Sequence, residues 1–167
     1  MKIGVVSDTH MPRYGKQLPD IVRQGLLGTD LILHAGDWQT LDVYEQFREI
    51  APVEGVAGNV DGEEIVRTFG YKKLLELEGF RIGLVHGHRG RGNTTPERAR
   101  KAFSGDEVDI IVFGHSHIPF HEKVGGVPLF NPGSPTDKRR QPRFSYGILT
   151  LRRKIMAEHV YYADKNL

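Results

Sequence analysis

The amino-acid sequence predicts an α/β protein whose mixed β core has parallel strands at its centre and helices packed outside. The first half of the chain alternates short β-branched runs with amphipathic segments of helical spacing. The second half is richer in pairs of strand-like runs joined by tight turns. So much strand within 167 residues is expected to fold as two packed sheets.

The first half has three predicted buried strands with two helices between them. The strands are Ile3 to Val6, Asp30 to His34 and Val53 to Ala57. The helices are Leu18 to Leu27 and Leu41 to Ile50. Pro19 suits a first helical turn, and Gly28 and Pro52 end the two segments. This alternation is what favours parallel strands in the centre of a sheet.

The second half is predicted to contain hairpins and one helix. Its strands are Lys73 to Leu77, Phe80 to Val85, Val108 to Phe113, Glu122 to Val124 and Val127 to Phe130, followed by two that pair across Arg152-Arg153-Lys154. Thr95 is predicted to cap a helix that ends at Phe103, with Pro96 at its first position.

The composition excludes some classes of function but does not identify one. Hydrophobic residues make up 38% of the chain, charged residues 26%, and the net charge is +2. No run approaches the ~18 apolar residues of a membrane span, and the first apolar run reaches Ser7-Asp8 too soon for a signal peptide. We therefore expect one cytoplasmic domain over residues 1–167. Because cysteine is absent, a metal site must use nitrogen and oxygen ligands.

Polar residues that suit metal binding follow five of the predicted strands. They are Asp8, His10, Asp37, Asn59, His86, His115 and His117. Ligands bind beyond the carboxyl ends of strands in open α/β sheets, so these seven side chains are expected to converge. Each motif alone is weak, since a lone Asp-x-His or Gly-Asn is usually a turn. A His-x-His pair is also open to three interpretations: it can chelate one ion, serve two ions or bind none.

The set as a whole resembles the signature of the calcineurin-like metallophosphoesterases, which it matches in order. The matching motifs are Asp8-Thr9-His10, Gly36-Asp37, Gly58-Asn59, His86-Gly87-His88 and Gly114-His115-Ser116-His117. The chain is similar in size to the compact, single-domain phosphodiesterase branch of that superfamily. The resemblance implies a metallo-dependent phosphatase-like, four-layer α/β/β/α sandwich with a two-metal site.

The resemblance also implies which residues bind which ion. One ion is assigned to Asp8, His10 and His117, and the other to Asn59, His86 and His115, with Asp37 bridging both. The ions are expected to be divalent, Mn²⁺ first, with Ni²⁺, Fe, Mg²⁺ or Zn²⁺ as alternatives that the same ligands suit. In two-metal chemistry a bridging hydroxide attacks phosphorus in line. Two divalent ions, two carboxylates and a hydroxide leave one positive charge, which suits a phosphodiester monoanion.

One position departs from the family pattern. Many members have a histidine after Gly-Asn that protonates the leaving group, whereas this chain has Val60. His88 is the candidate substitute, and the alternative is that it is an exposed loop histidine. With His88 included, the predicted catalytic set is Asp37, Asn59 and His88. Asn59, His88 and Arg89 are the predicted substrate contacts. Without the usual acid, activated aryl diesters should be better substrates than alkyl monoesters.

Three residues beside these motifs have predicted supporting roles. His34 is expected in the core or behind the metal ligands, and Asp61 is expected to be a turn residue or a hydrogen-bond acceptor. Trp38, directly after Asp37, is expected to form part of the cleft wall.

Other functions of the same fold stay open. A protein-interaction scaffold, similar to the retromer subunit of this superfamily, is one alternative, although such a scaffold should lose metal ligands. A nuclease or a phosphomonoesterase is another, but aromatic and basic residues are not interleaved as nucleic-acid binding favours. The expected partner is therefore a small phosphodiester rather than nucleic acid or membrane. Exposed hairpin edges leave room for a homo-oligomer.

Overall fold

The computed structural model describes residues 1–166 and shows ten strands and four helices within them. The strands are β1 (Lys2–Val6), β2 (Leu31–His34), β3 (Val53–Gly55), β4 (Lys72–Leu77), β5 (Phe80–Val85), β6 (Ile110–Val112), β7 (Phe120–Val124), β8 (Val127–Asn131), β9 (Phe144–Leu151) and β10 (Ile155–Tyr162). The helices are α1 (Asp20–Leu26), α2 (Leu41–Arg48), α3 (Glu63–Phe69) and α4 (Thr95–Ala102). None of these helices is long and apolar enough to cross a lipid bilayer.

The strands form two mixed sheets of five strands each. The first has the order β10-β9-β1-β2-β3, and the second has the order β4-β5-β6-β8-β7. In the first sheet β1, β2 and β3 are parallel, while β9 is antiparallel to both β1 and β10. In the second, β5, β6 and β8 are parallel, with antiparallel strands at both edges. The predicted mixed core and paired sheets are confirmed.

The two sheets pack face to face through alternating side chains. Ile3 and Val5 of β1 belong to one buried cluster with Ile82 of β5 and Val112 of β6. Because successive side chains of a strand point to opposite faces, Val6 faces away from this cluster and packs with the outer helices. Strand β1 is therefore buried on both faces from Ile3 to Val6.

Helices cover the two outer faces. Residues of α1, α2 and α3 pack on the first sheet, while Ala99 of α4 and the neighbouring Phe103 pack against Ile111 and Leu129 of the second. The order of layers is therefore helix, sheet, sheet, helix, and the predicted four-layer α/β/β/α sandwich is confirmed.

The structure corrects several local predictions. Helix α3 has no counterpart in the prediction, because its seven residues are too few for a clear helical period and it is held by burial of Ile65 and Phe69. The cap of α4 is Thr94, whose side chain accepts a hydrogen bond from the Glu97 backbone N–H, and not Thr95. Trp38 is fully buried rather than part of a cleft wall.

Trp38 is buried because aromatic rings enclose it. Its ring stacks on His34 at a centroid distance of 3.8 Å and on Phe69 at 4.6 Å. Its indole N–H donates to the Val56 carbonyl oxygen at 2.8 Å. Trp38 thus fixes the loop after β2 from the core side, while Asp37 is left at the strand ends.

The Thr94 cap gives a test of the helix boundary. Thr94→Ala should lower the free energy of unfolding by about 1 kcal/mol, because the Glu97 N–H loses its acceptor. Thr94→Ser keeps the hydroxyl and should stay close to wild type. Urea unfolding followed by circular dichroism measures both. Equal stability of the alanine and serine variants would contradict the assigned cap.

Candidate metal centre

Seven polar side chains meet at the carboxyl ends of the central strands, as the sequence predicts. Two groups form among them: ligand atoms of Asp8, His10 and His117 lie within 4.8 Å of one another, and those of Asp37, His86 and His115 do likewise. The Asn59 Oδ1 atom lies 3.1 Å from both His86 Nε2 and His115 Nδ1, and so belongs with the second group.

Asp37 lies between the two groups. Its Oδ2 atom is 3.4 Å from His10 Nε2 in the first group and 3.2 Å from His86 Nε2 in the second. Asp8 Oδ1 is 3.5 Å from His117 Nε2 and 3.7 Å from His86 Nε2. The two groups therefore adjoin along a shared edge of carboxylate oxygens.

The backbone that presents these side chains is unusual. Five of the seven residues have positive φ angles: 57° at Asp8, 45° at His10, 61° at Asp37, 71° at His115 and 61° at His117. Non-glycine residues seldom adopt this region, which costs about 1–3 kcal/mol where the surroundings enforce it. Such a concentration of left-handed residues is typical of functional sites.

Hydrogen bonds to the far side of each imidazole fix its orientation. His86 Nδ1 donates to the Ala35 carbonyl oxygen at 2.7 Å, and His117 Nδ1 donates to the Asp137 carbonyl oxygen at 2.5 Å. Because these acceptors engage Nδ1, the Nε2 atom of each ring is the one available to a metal. This second layer of contacts is characteristic of metal-ligating histidines.

The two carboxylates are oriented in the same way. Asp8 Oδ2 accepts hydrogen bonds from Ser7 Oγ at 2.7 Å and from the His115 N–H at 2.9 Å. Asp37 Oδ1 accepts one from the Val60 N–H at 3.0 Å. Each carboxylate thus uses one oxygen to hold its place and directs the other into the site.

Three buried atoms at the centre fit a cation. Asp8 Oδ1, His10 Nε2 and His117 Nε2 are buried and have no hydrogen-bond partner among residues 1–166. Buried polar atoms in proteins almost always have partners, so three such atoms in one group need an explanation. Nitrogen and carboxylate donors at this spacing are a ligand set for a divalent transition metal.

The electrostatics of the site agree with this donor set. Burial disfavours a charge on His86, but the Asp8 and Asp37 carboxylates outweigh it and raise its pKa to about 9. Burial also opposes the charge on Asp37, yet its hydrogen bond and charge interaction with His86 hold its pKa well below the usual range. Burial lowers the pKa of His10 and His115, which keeps these imidazoles neutral near pH 7. The site therefore favours a positive charge between its carboxylates.

Asp61 ties together the two loops that carry Asp37 and Asn59. Its carboxylate accepts hydrogen bonds from the backbone N–H groups of Asp37 at 2.8 Å, Gln39 at 2.9 Å and Gly58 at 2.7 Å. Burial nevertheless raises the pKa of Asp61. The predicted acceptor role of Asp61 is thus observed, and its three partners make it a positioning residue.

The predicted substrate contacts lie at the edge of the centre. The half-buried His88 ring is 5.2 Å from the His86 ring and 6.2 Å from the His115 ring, measured between centroids. Burial, followed by His86 and His115, lowers the pKa of His88 to about 4, so its imidazole is neutral at pH 7. A neutral imidazole is better suited to a substrate hydrogen bond than to proton delivery. Arg89 lies further out, with its guanidinium 4.4 Å above the Tyr71 ring.

Several contributors to the site have no sequence signal. The Ala35 and Asp137 carbonyl groups act through their backbone, so their residue types carry no information. Two side chains that support Asp8 do have such a signal. Ser7 is adjacent to Asp8 in the chain. Ser134, whose Oγ donates to the Asp8 carbonyl oxygen at 2.8 Å, ends the segment Asn131-Pro132-Gly133-Ser134, which resembles a family motif near the site.

Comparison with known proteins places the chain in a family. A family model described as the calcineurin-like phosphoesterase superfamily domain matches residues 1–154. The chain is 40% identical over 142 residues to a probable metallophosphoesterase of Methanothermobacter thermautotrophicus, covering 83% of this chain and 80% of that protein. The chain therefore belongs to the calcineurin-like phosphoesterase superfamily, whose members use divalent metal ions.

More distant relatives share the family or the fold. A phosphodiesterase of Methanocaldococcus jannaschii is 27% identical over 147 residues, with 80% of this chain and 83% of that protein covered. A single-substitution variant of Vps29 from Entamoeba histolytica superposes with a TM-score of 0.78 at 24% identity, covering 97% of this chain and 99% of that one. At that identity the likeness to Vps29 concerns the fold.

The role of Asp61 gives a test of how the centre is held. Asp61→Asn should lower the free energy of unfolding by about 1–3 kcal/mol, because an amide nitrogen would face backbone N–H donors. It should also weaken Mn²⁺ binding by about 10–100-fold, as loss of supporting contacts does at other metal sites. Chemical denaturation and calorimetric titration measure the two effects, with the exposed Glu158→Gln as control. Wild-type Mn²⁺ affinity in Asp61→Asn would refute the positioning role.

Proposed function

We propose that this protein is a dinuclear metal-dependent phosphodiesterase. The observation that supports the proposal is the adjoining pair of donor groups, with Asp37 Oδ2 within 3.4 Å of a histidine of each. One ion would be held by Asp8, His10 and His117, the other by Asn59, His86 and His115, with Asp37 shared. We further propose that residues 1–167 form one domain.

The donor set suits two divalent ions, and Mn²⁺ is the first candidate among Mn²⁺, Ni²⁺, Fe, Mg²⁺ and Zn²⁺. When bound, such ions supply Lewis acidity toward phosphoryl oxygens and an activated water for in-line attack on phosphorus. The chain's own contribution is to fix the donors: the backbone at Asp37 is tied to Asp61, and the His86 and His117 rings are held through Nδ1.

The proposed roles at the substrate edge follow from position. The Asn59 amide lies between His86 and His115, where it can both bind the second ion and contact a phosphoryl oxygen. His88 can donate one hydrogen bond to the substrate, and Arg89 can attract its negative charge. Hydrolysis joins a water oxygen to phosphorus and breaks the bond between phosphorus and the leaving oxygen. A poor leaving group needs a proton on that oxygen.

Val60 explains the proposed preference for diesters with good leaving groups. Its side chain is 45% exposed beside Asn59, and it has no proton to donate. General-acid help is worth about 10²–10⁴-fold in rate, so its absence penalises alkyl leaving groups most. Aryl phosphodiesters, whose phenolate leaves without a proton, escape that penalty.

The alternatives make different predictions. An interaction scaffold on this fold needs no complete ligand set, whereas all seven positions here hold side chains that can bind a metal. A nuclease should bind DNA or RNA with a steep salt dependence, and a phosphomonoesterase should prefer monoesters. We therefore propose a small phosphodiester as the substrate. A cytoplasmic location and a homo-oligomeric state remain predictions from the sequence.

Metal-dependent turnover is the direct test. Protein stripped with EDTA should be inactive toward bis(p-nitrophenyl) phosphate and regain activity with Mn²⁺. Asp37→Asn should lose at least about a hundredfold in kcat/KM while staying folded, because the amide has no negative charge and only one oxygen, which the Val60 N–H favours as its acceptor. Glu158→Gln is the matched control. Alkyl monoesters should be turned over at least about tenfold less efficiently than the aryl diester. Full activity of Asp37→Asn, or of the stripped protein, would refute the proposal.

A further inference from the structure

A second feature, a basic cleft, opens beside the metal centre. It has a volume of about 580 Å³ and is bounded by the start of β4, the loop that follows β5 and the outer face of α4. Small-molecule sites typically occupy about 300–1,000 Å³, so the cleft is large enough for a ligand rather than a single ion. We call this feature the basic cleft.

The basic cleft is strongly cationic. Its lining includes five basic residues: Lys72, Arg89, Arg91, Arg98 and Lys101. Lys72 is paired with Asp106 at 3.0 Å. The other four have no carboxylate oxygen within 4.0 Å among residues 1–166, and no acidic residue lines the cleft there. Four uncompensated charges facing one concave space favour an anionic ligand.

Three separate parts of the chain supply these charges. Lys72 begins β4, Arg89 and Arg91 lie on the loop after β5, and Arg98 and Lys101 lie one turn apart on α4. Repulsion between their like charges would favour side-chain positions further apart than a shared cleft. The Arg89 guanidinium is also held in place, because it lies 4.4 Å above the Tyr71 ring.

The basic cleft lies next to the metal centre, and His88 is the residue between them. That residue lines the cleft, and its ring is 5.2 Å from the His86 ring of the second donor group. A molecule whose scissile phosphate lies at the metal centre can therefore extend past His88 into the cleft. Guanidinium groups bind phosphate oxygens through paired hydrogen bonds, which makes phosphate the anion that this lining suits best.

We propose that the basic cleft is a second phosphate subsite, and that the substrate is a phosphodiester bearing a further phosphate group. This inference rests on the proposed phosphodiesterase activity. The scissile diester is bound at the metal centre, while the second phosphate is bound by Arg91, Arg98 and Lys101. The cleft thus selects among phosphodiesters by charge.

A matched pair of chromogenic substrates tests the inference. Thymidine 5′-(p-nitrophenyl phosphate) and its 3′-phosphorylated form differ by one phosphate and release the same p-nitrophenolate. With Mn²⁺ present, wild-type kcat/KM should be roughly tenfold higher for the 3′-phosphorylated substrate, since hydrogen bonds to charged groups are among the strong ones. Added salt should reduce this ratio.

The variant Arg98→Gln/Lys101→Gln removes two charges and keeps good helix formers on α4. In this variant the ratio of kcat/KM between the 3′-phosphorylated and the singly charged substrate should fall toward one. The control Arg152→Gln/Arg153→Gln removes the same charge from the exposed turn between β9 and β10, and should keep the wild-type ratio. A wild-type ratio of one or less overturns the inference, as does a ratio that the α4 variant leaves unchanged.

The same experiment separates failure of the inference from failure of the proposed function. If both substrates are cleaved at equal rates, the phosphodiesterase activity stands and the second subsite is refuted. If neither is cleaved, the proposed function fails, and calorimetry with thymidine 3′,5′-bisphosphate decides the subsite. Tighter binding than thymidine 5′-phosphate, lost in the α4 variant, supports the cleft as a phosphate site; equal binding overturns it.

Free inorganic phosphate is the other source of such an anion. If the ratio between the two substrates is one, and phosphate changes hydrolysis of the singly charged substrate in wild type but not in the α4 variant, the cleft binds phosphate as a separate ligand. That combination overturns the substrate role. Inhibition of equal strength in both proteins, together with the expected substrate ratio, supports it.

Discussion

The position of the Asp37 carboxylate is the constraint on which the rest of the centre depends. Its Oδ2 atom faces His10 from the first sheet and His86 from the second, while its Oδ1 accepts the Val60 N–H. The two donor groups therefore adjoin only if both sheets keep their relative placement. The apolar layer between the sheets, which includes Ile3 and Ile82, maintains that placement. Packing far from the centre thus determines its geometry.

The glycines that accompany the ligands have a steric explanation. A Cβ atom on Gly114 would overlap the Ser7 hydroxyl, and one on Gly58 would overlap the Asp37 carboxylate. Gly36 lies against the His86 ring and has a φ of 101°. Each glycine precedes a ligand and lets its loop approach a neighbouring one. The Gly-Asp, Gly-Asn and Gly-His pairs of the sequence are therefore points of close backbone contact between loops as well as turns.

Much of this arrangement could be predicted because two of its causes are local. Apolar runs such as that ending at Val6 mark buried strands, and the polar residues directly after them must lie at strand ends. The division of ligands into two groups came instead from the resemblance to a family, and the geometry agrees with it. Helix α3 and the buried Trp38 depend on tertiary packing that no local pattern shows. The Thr94 cap is local, since Thr94 lies three residues before Glu97, from whose N–H it accepts a hydrogen bond, as in a capping box. The backbone acceptors of the histidines and the joining of Arg91 with Lys101 in one cleft depend on the fold as a whole.

In the proposed centre, the turn after β6 provides one histidine to each of two ions. Anomalous diffraction from crystals grown with Mn²⁺ measures this directly for wild type, His115→Ala and His117→Ala. We expect two peaks on either side of Asp37 in wild type. We expect loss mainly of the peak beside His86 in His115→Ala, and mainly of the peak beside His10 in His117→Ala. A single peak in wild type, or loss of the same peak in both variants, would contradict this assignment.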